Sequence, residues 1–163
     1  MSNIKIVPMA SKAFGATATG VDLKNLSKAE FEELHAAFLV HGFLLFPEQH
    51  LTEQESTAFG ERFGKLEFGG APMANQKKHD DGTFGKIHNL QSQIMRTNVG
   101  NEAWHTDSTY KPISSKVAML SAVVVPDEGG QTELADLRSG YEALDTATKE
   151  MVAGLSAYHS TNF

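Results

Sequence analysis

Trp104 to Asp136, WHTDSTYKPISSKVAMLSAVVVPDEGGQTELAD, contains three strand-like runs separated by turn residues. Trp104–Tyr110, Lys116–Val125 and Gln131–Asp136 are the runs, rich in β-branched and aromatic side chains. Pro126-Asp127-Glu128-Gly129-Gly130 forms a strong turn signal between the last two. Lys86–Gln91 upstream adds a fourth run. Together they predict a mainly β fold in this part of the chain.

The flanks read differently. Ile4-Lys5-Ile6-Val7 alternates like a strand before Pro8. Ser27-Lys28-Ala29-Glu30 is a capping box, in which hydroxyl and carboxylate each satisfy a helix-start N–H. The predicted helix carries Phe31, Leu34 and Phe38 on one face and ends at Gly42. A short buried strand is expected over 42–47, and a second capping box, Thr52-Glu53-Gln54-Glu55, opens a helix running to about Gly64. Residues 68–81 read as a long loop, Tyr141–Leu144 and Thr146–Leu155 as helical, and Ser156 onward as the start of another strand. A sheet left open in this way has unpaired edges, so the chain is expected to be the front part of a larger fold or to be completed by a partner, a homo-oligomer included.

Composition narrows the function classes. At 163 residues, 40% hydrophobic and 21% charged, the chain is globular and of single-domain size. No apolar run approaches the roughly 20 residues of a membrane-spanning helix, and no secretory leader is recognisable at the start, so a cytoplasmic protein is expected. The absence of Cys excludes disulfides, thiolate metal sites and a cysteine nucleophile. A net charge of -6 lacks the basic stripe that nucleic acid requires. Chemistry must therefore rest on His, carboxylates and hydroxyls.

His105-Thr106-Asp107 carries the chief candidate. In a strand, alternate side chains share a face, so an imidazole and a carboxylate at this spacing can take adjacent positions on one metal ion. A second His from elsewhere would complete the facial triad of non-haem Fe(II) oxygenases. The same spacing suits a surface strand with a polar face, and composition alone gives about 0.3 chance His-x-Asp matches in such a chain. Trp104 and Tyr110 would fall on the opposite, packed face, leaving His105 and Asp107 to line a cavity.

The run Asn101-Glu-Ala-Trp-His-Thr-Asp107 resembles the metal-site strand of the TauD/TfdA family of Fe(II)- and 2-oxoglutarate-dependent dioxygenases. The resemblance continues in order through Met119-Leu-Ser-Ala-Val-Val-Val-Pro126, Gly129-Gly-Gln-Thr-Glu133, Asp136-Leu-Arg138, Tyr141-Glu-Ala-Leu144 and Gly154-Leu-Ser-Ala-Tyr-His159. Phe43-Leu-Leu-Phe46 and Arg62-Phe-Gly-Lys-Leu-Glu67 extend it towards the N-terminus, and the 119–126 block with Thr132-Glu133 is closer to the 2,4-dichlorophenoxyacetate branch than to the taurine branch.

The resemblance implies a double-stranded β-helix (jelly roll), incomplete in this chain, with 1–163 as the N-terminal portion of one dioxygenase domain. It makes His105 and Asp107 iron ligands, Thr132 a hydroxyl holding a carboxylate of 2-oxoglutarate, and Asn101 a substrate-pocket residue. The cofactor would be Fe(II), with 2-oxoglutarate as co-substrate and O₂ and a small molecule as the other reactants. Hydroxylation of an aryloxyalkanoate, sulfonate or similar anion would release succinate and CO₂. The distal His and the carboxylate-clamping Arg of the family have no counterpart in the matching order. His159 matches a different family His and is not taken as the third ligand.

Other histidines are expected elsewhere: His35 and His41 as surface or packing residues of the first helix, His50 in a loop, His79 as solvated or substrate-lining, and His88 as core or cavity-facing. Lys65, Lys77, Lys78, Arg96 and Lys111 fall around the expected site and suit an anionic substrate, although each also suits a solvated face. The alternative reading is a truncated, non-catalytic homologue that binds metal or a small anion. Zinc hydrolysis fits less well, because catalytic zinc usually has three protein ligands. Succinate release under Fe(II), ascorbate and 2-oxoglutarate separates the enzyme from the binding module.

Overall fold

The computed structural model describes residues 3–9, 14–67, 76–78, 84–87, 89, 91–100, 102–122 and 125–160. The chain divides into two compact units, Met1–Arg62 with Met119–Ala157, and Phe63–Ala118 with Tyr158–Phe163.

The first unit is built on a three-stranded mixed sheet. β1 (Lys5–Pro8) runs antiparallel to β2 (Ala16–Thr19), with Lys5 opposite Thr19 and Pro8 opposite Ala16. β2 then pairs in parallel with β3 (Leu44–Leu45), Ala16 opposite Leu44. Parallel neighbours require a crossover, supplied here by a short 3₁₀ turn (Leu23–Asn25) and helix α1 (Lys28–His41). Both expected capping boxes are present. Ser27 Oγ accepts from the Glu30 N–H at 3.2 Å while the Glu30 carboxylate accepts from the Ser27 N–H at 2.9 Å. Thr52 and Glu55 repeat the arrangement at the start of α2 (Glu53–Glu61). α1 ends where expected: Gly42 has φ 79° and donates its N–H to Phe38 O at 2.8 Å. A Cβ there would approach Phe14 to 2.8 Å and Arg138 to 2.9 Å, so the position suits glycine on two counts.

Ala16, Ala18, Leu23, Leu34 and Phe59 are buried in this unit, and edge-to-face ring pairs, Phe14–Phe43 at 5.0 Å and Phe46–Phe59 at 6.0 Å, surround them. Arg62 lies over the Phe31 ring and donates to Leu26 O and Ser27 O at 2.8 and 3.2 Å, which fastens the end of α2 to the start of α1. Gln49 joins the 3₁₀ turn to the loop after β3, accepting from Leu23 N–H and donating to Val21 O and Pro47 O. Later in the same unit, α4 (Leu137–Glu142) and α5 (Thr146–Ala153) are capped by Asp136 and Asp145. Arg138 donates to Asp136 Oδ1 at 3.0 Å and to Leu39 O at 3.3 Å, tying α4 to α1.

The second unit contains an irregular hairpin, β4 (Gln76–Lys78) with β5 (Phe84–Ile87), and helix α3 (Gln93–Gly100). Met95 is buried in it.

Several expectations are corrected. β5 takes only part of Lys86–Gln91, β4 falls inside the expected 68–81 loop, and α3 and β2 arise where no element was expected. Residues 104–110, 116–125 and 131–136 pair with no strand among the described residues, and 155–160 is likewise irregular. The described residues thus show a small mixed sheet, a two-stranded hairpin and helices. The physical reason is that β-prone residues form a strand only against a neighbouring strand and a covering face. Leu120, Val125 and Leu134 are all exposed instead, so the ladder these runs would need is missing among the described residues.

Candidate functional site

His105 and Asp107 lie in the second unit on a turn, not a strand. They nevertheless share a side, with His105 Nε2 3.4 Å from Asp107 Oδ1 and the side chains 47% and 61% exposed. Just past the pair the chain reverses at Ser108, whose φ of 59° is left-handed. Lys111 N–H closes that turn on Ser108 O at 3.1 Å. Trp104, 69% exposed, and Tyr110, 42% exposed, make no packed face behind the pair among the described residues.

The protonation pattern follows from one contact. His105 Nδ1 is 2.7 Å from Ala103 O, and a carbonyl can only accept, so Nδ1 carries the proton. In the neutral ring Nε2 is then a lone pair, facing a carboxylate oxygen that is also an acceptor. Two acceptors at this distance are reconciled by a cation or a proton between them. Donors about 2.1 Å from a metal and at right angles around it stand about 3 Å apart, so small side-chain rotations bring the pair onto one ion. A backbone carbonyl holding the far ring nitrogen is the usual way a protein fixes a metal-binding imidazole. The donor set therefore fits a divalent metal in chemistry and in spacing. No group of three or more His or carboxylate side chains placed for a metal occurs among the described residues.

The segment that follows is held by one carboxylate. Ser108, buried to 7% exposure, has its Oγ 2.9 Å from both oxygens of Glu67. Lys111 Nζ and Ser115 Oγ also donate to Glu67, and Ser115 Oγ lies 3.1 Å from Ser108 Oγ. The Lys111 ammonium first, then the Ser115 and Ser108 hydroxyls, hold the Glu67 carboxyl down to about 2. Lys111, one of the cations expected near the site, is thereby engaged internally. Thr109 Oγ1 lies 2.7 Å from His159 Nδ1, so His159 meets the same turn two residues past Asp107.

Thr132 belongs to the first unit, exposed in the irregular stretch after Gly129 and Gly130, whose φ values of 75° and 69° make the expected turn. Asn101, His79 and His88 lie outside the described residues. His35 stacks on Phe31 at 5.9 Å, in keeping with a packing residue of α1. Glu67 and Ser108 were not singled out by the sequence. The available signal was the acidic end of Arg62-Phe-Gly-Lys-Leu-Glu67, read only as part of a resemblance.

Residues 5–163 match the family described as "Taurine catabolism dioxygenase TauD, TfdA family". An (S)-phenoxypropionate/alpha-ketoglutarate-dioxygenase of Sphingobium herbicidovorans is 44% identical over 150 residues, covering 92% of this chain and 51% of that protein. Its namesake in Delftia acidovorans is 43% identical over 162 residues, covering 98% and 55%. The crystal structure of AAD-2 in complex with Mn(II) and N-oxalylglycine superposes with a TM-score of 0.82 at 34% identity, over 93% of this chain and 53% of that one. The chain belongs to the TauD/TfdA family, and it spans about half the length of the relatives it matches.

Proposed function

We propose that this member of the TauD/TfdA family is part of a non-haem Fe(II)- and 2-oxoglutarate-dependent dioxygenase acting on a small anionic substrate, an aryloxyalkanoate or sulfonate. Succinate and CO₂ would be released, O₂ consumed, and the jelly roll completed by segments beyond those described. The reading extends to a cytoplasmic setting and to self-association through the exposed apolar side chains. The observation that carries it is the His105–Asp107 pair, two acceptors 3.4 Å apart with the imidazole fixed from behind by Ala103 O. Support for the co-substrate comes from relatives named for alpha-ketoglutarate and from N-oxalylglycine in AAD-2, which is 2-oxoglutarate with an N–H replacing a methylene.

His105 Nε2 and one Asp107 oxygen would hold Fe(II), whose chemistry is the activation of O₂ for substrate oxidation. The hydrogen bond from Nδ1 to the Ala103 carbonyl orients the ring so that Nε2 faces Asp107. Thr132 would donate its hydroxyl proton to a carboxylate of 2-oxoglutarate, and Asn101 would line the substrate pocket.

One observation favours the second reading, a non-catalytic module that binds metal or a small anion: only two donors neighbour each other among the described residues. The test is succinate release from 2-oxoglutarate under Fe(II) and ascorbate, with an aryloxyalkanoate, a sulfonate or neither present. Substrate-dependent succinate from the whole protein supports the dioxygenase. Metal binding without succinate under any of these conditions favours the module.

A further inference from the structure

We propose that the first unit carries a docking face for the half of the fold that its relatives have in addition to this chain. The end of α1, the start of α4 and the runs 119–122 and 125–136 form that face. The inference rests on the reading that the jelly roll is completed by segments beyond those described, and it names the surface that receives them.

Two observations mark the face. The first is an apolar patch. Leu39 and Val40 in the last turn of α1, and Leu137 at the start of α4, are each more than half exposed. They lie together, because Arg138, next to Leu137, donates to Leu39 O at 3.3 Å and sits 2.9 Å from where a Cβ on Gly42 would stand. Apolar side chains gathered in this way on a globular domain mark a surface that another polypeptide covers. The second observation is in the backbone. Leu120, Val125 and Leu134 are also more than half exposed, in strand-forming runs that pair with no strand among the described residues. Leu134 stands three residues before Leu137 and so joins these runs to the patch. Unpaired β-prone backbone is a template for a partner strand, which supplies main-chain hydrogen bonds while its side chains cover the exposed ones.

The occupant follows from length and course. The chain spans about half of the relatives it matches, yet nearly all of it superposes on AAD-2. It therefore follows the path of a chain that carries nearly as much again. A second copy would bring only the same runs and the same patch. Self-association of the chain alone uses this face as a substitute, and the complementary half displaces it.

The experiment co-expresses the full chain with the portion of the Delftia acidovorans relative that it does not match, with the tag on that portion. Light scattering gives the mass, and hydrogen–deuterium exchange the backbone protection. The two are expected to purify as a one-to-one complex, with exchange in 119–122 and 125–136 slowed at least about tenfold relative to the chain alone. Val40→Lys, Leu120→Lys and Leu137→Lys are each expected to weaken the complex at least about tenfold. Because these side chains are already exposed, the same substitutions should leave the thermal midpoint of the chain alone nearly unchanged. Lys28→Glu, at the opposite end of α1, should alter neither the complex nor the midpoint.

Failure to co-purify, or a self-associated chain that persists in place of the complex, overturns the inference. So does a complex in which the two runs gain no protection and the three lysine substitutions change nothing, since the contact then lies elsewhere. If the co-expressed portion is insoluble, an in-frame fusion of the same two sequences decides by the same exchange comparison. A protected complex that releases no succinate leaves the docking face in place and removes the dioxygenase reading instead.

Discussion

His105 Nε2 stands 3.4 Å from Asp107 Oδ1 while the opposite ring nitrogen is tied to Ala103 O at 2.7 Å. With its one proton on Nδ1, a neutral imidazole leaves the Asp107 side to a cation or to a second proton. His105→Ala is expected to remove Fe(II) or Mn(II) binding, because the remaining carboxylate cannot impose geometry alone. Asp107→Asn should weaken binding by a large factor, since the amide retains an oxygen donor but lacks charge. Equilibrium dialysis under nitrogen measures both. Binding unchanged in His105→Ala would mean that the metal is held elsewhere.

Acid should loosen the turn in a defined window. Glu67 titrates at about 2 in the folded chain against an ordinary 4.5, with Lys111 the first cause. A carboxyl whose folded value is depressed contributes stability above its unfolded value, and that contribution is lost as pH falls through the folded value. The parent should therefore exceed Glu67→Gln in thermal midpoint at pH 6, and the gap should shrink between about pH 4.5 and about pH 2. A gap that does not change with pH would leave the charge on Glu67 without a role in the fold.

The helix starts were the most legible feature of the sequence. Ser27/Glu30 and Thr52/Glu55 form their reciprocal bonds within four residues, so local chemistry suffices to place them. Gly42 was readable for the same reason. Asp136 and Asp145 cap helices too, with Ser139 and Thr148 hydroxyls bonding back to them, a pattern visible at the same three-residue spacing but not used. The strand runs after Gly100 were misjudged because propensity does not supply the neighbour a ladder needs. The nearness of His105 and Asp107 was legible, and the irregular backbone that carries them was not. The residues just after the pair are gathered by Glu67, and a contact spanning 41 residues leaves no periodic trace in the sequence.

Removing either cap tests the local part of the account. Ser27→Ala deletes the acceptor of the Glu30 N–H and the hydroxyl that bonds the Glu30 carboxylate at 2.7 Å. The expected loss is about 1 kcal/mol, read as a lower denaturation midpoint with an unchanged slope. Ser27→Asp should restore most of it, because aspartate is an equally good N-cap. If Asp fails to restore what Ala removes, the hydroxyl's role lies in packing and not in capping.

The 163-residue chain purified by itself is expected to release no succinate above background, even with Fe(II), ascorbate, 2-oxoglutarate and an aryloxyalkanoate supplied. The two adjacent donors found among the described residues would leave most of a metal's coordination sphere to water. A hydroxyl such as Thr132 donates one hydrogen bond to a carboxylate, whereas a guanidinium donates two in a fixed fork, so the co-substrate would be weakly held and poorly oriented. His105 and Asp107 are also about half exposed or more, so water reaches the position where the metal would sit. Each shortfall concerns a different requirement: ligand number, co-substrate orientation and exclusion of water. Restoring one alone would not restore turnover, whereas metal binding needs only the first two donors. The same preparation should therefore bind Mn(II) and lose that binding in His105→Ala while remaining silent in the succinate assay. Turnover by a sample whose intact mass corresponds to these 163 residues would show that two protein donors and a single hydroxyl are enough.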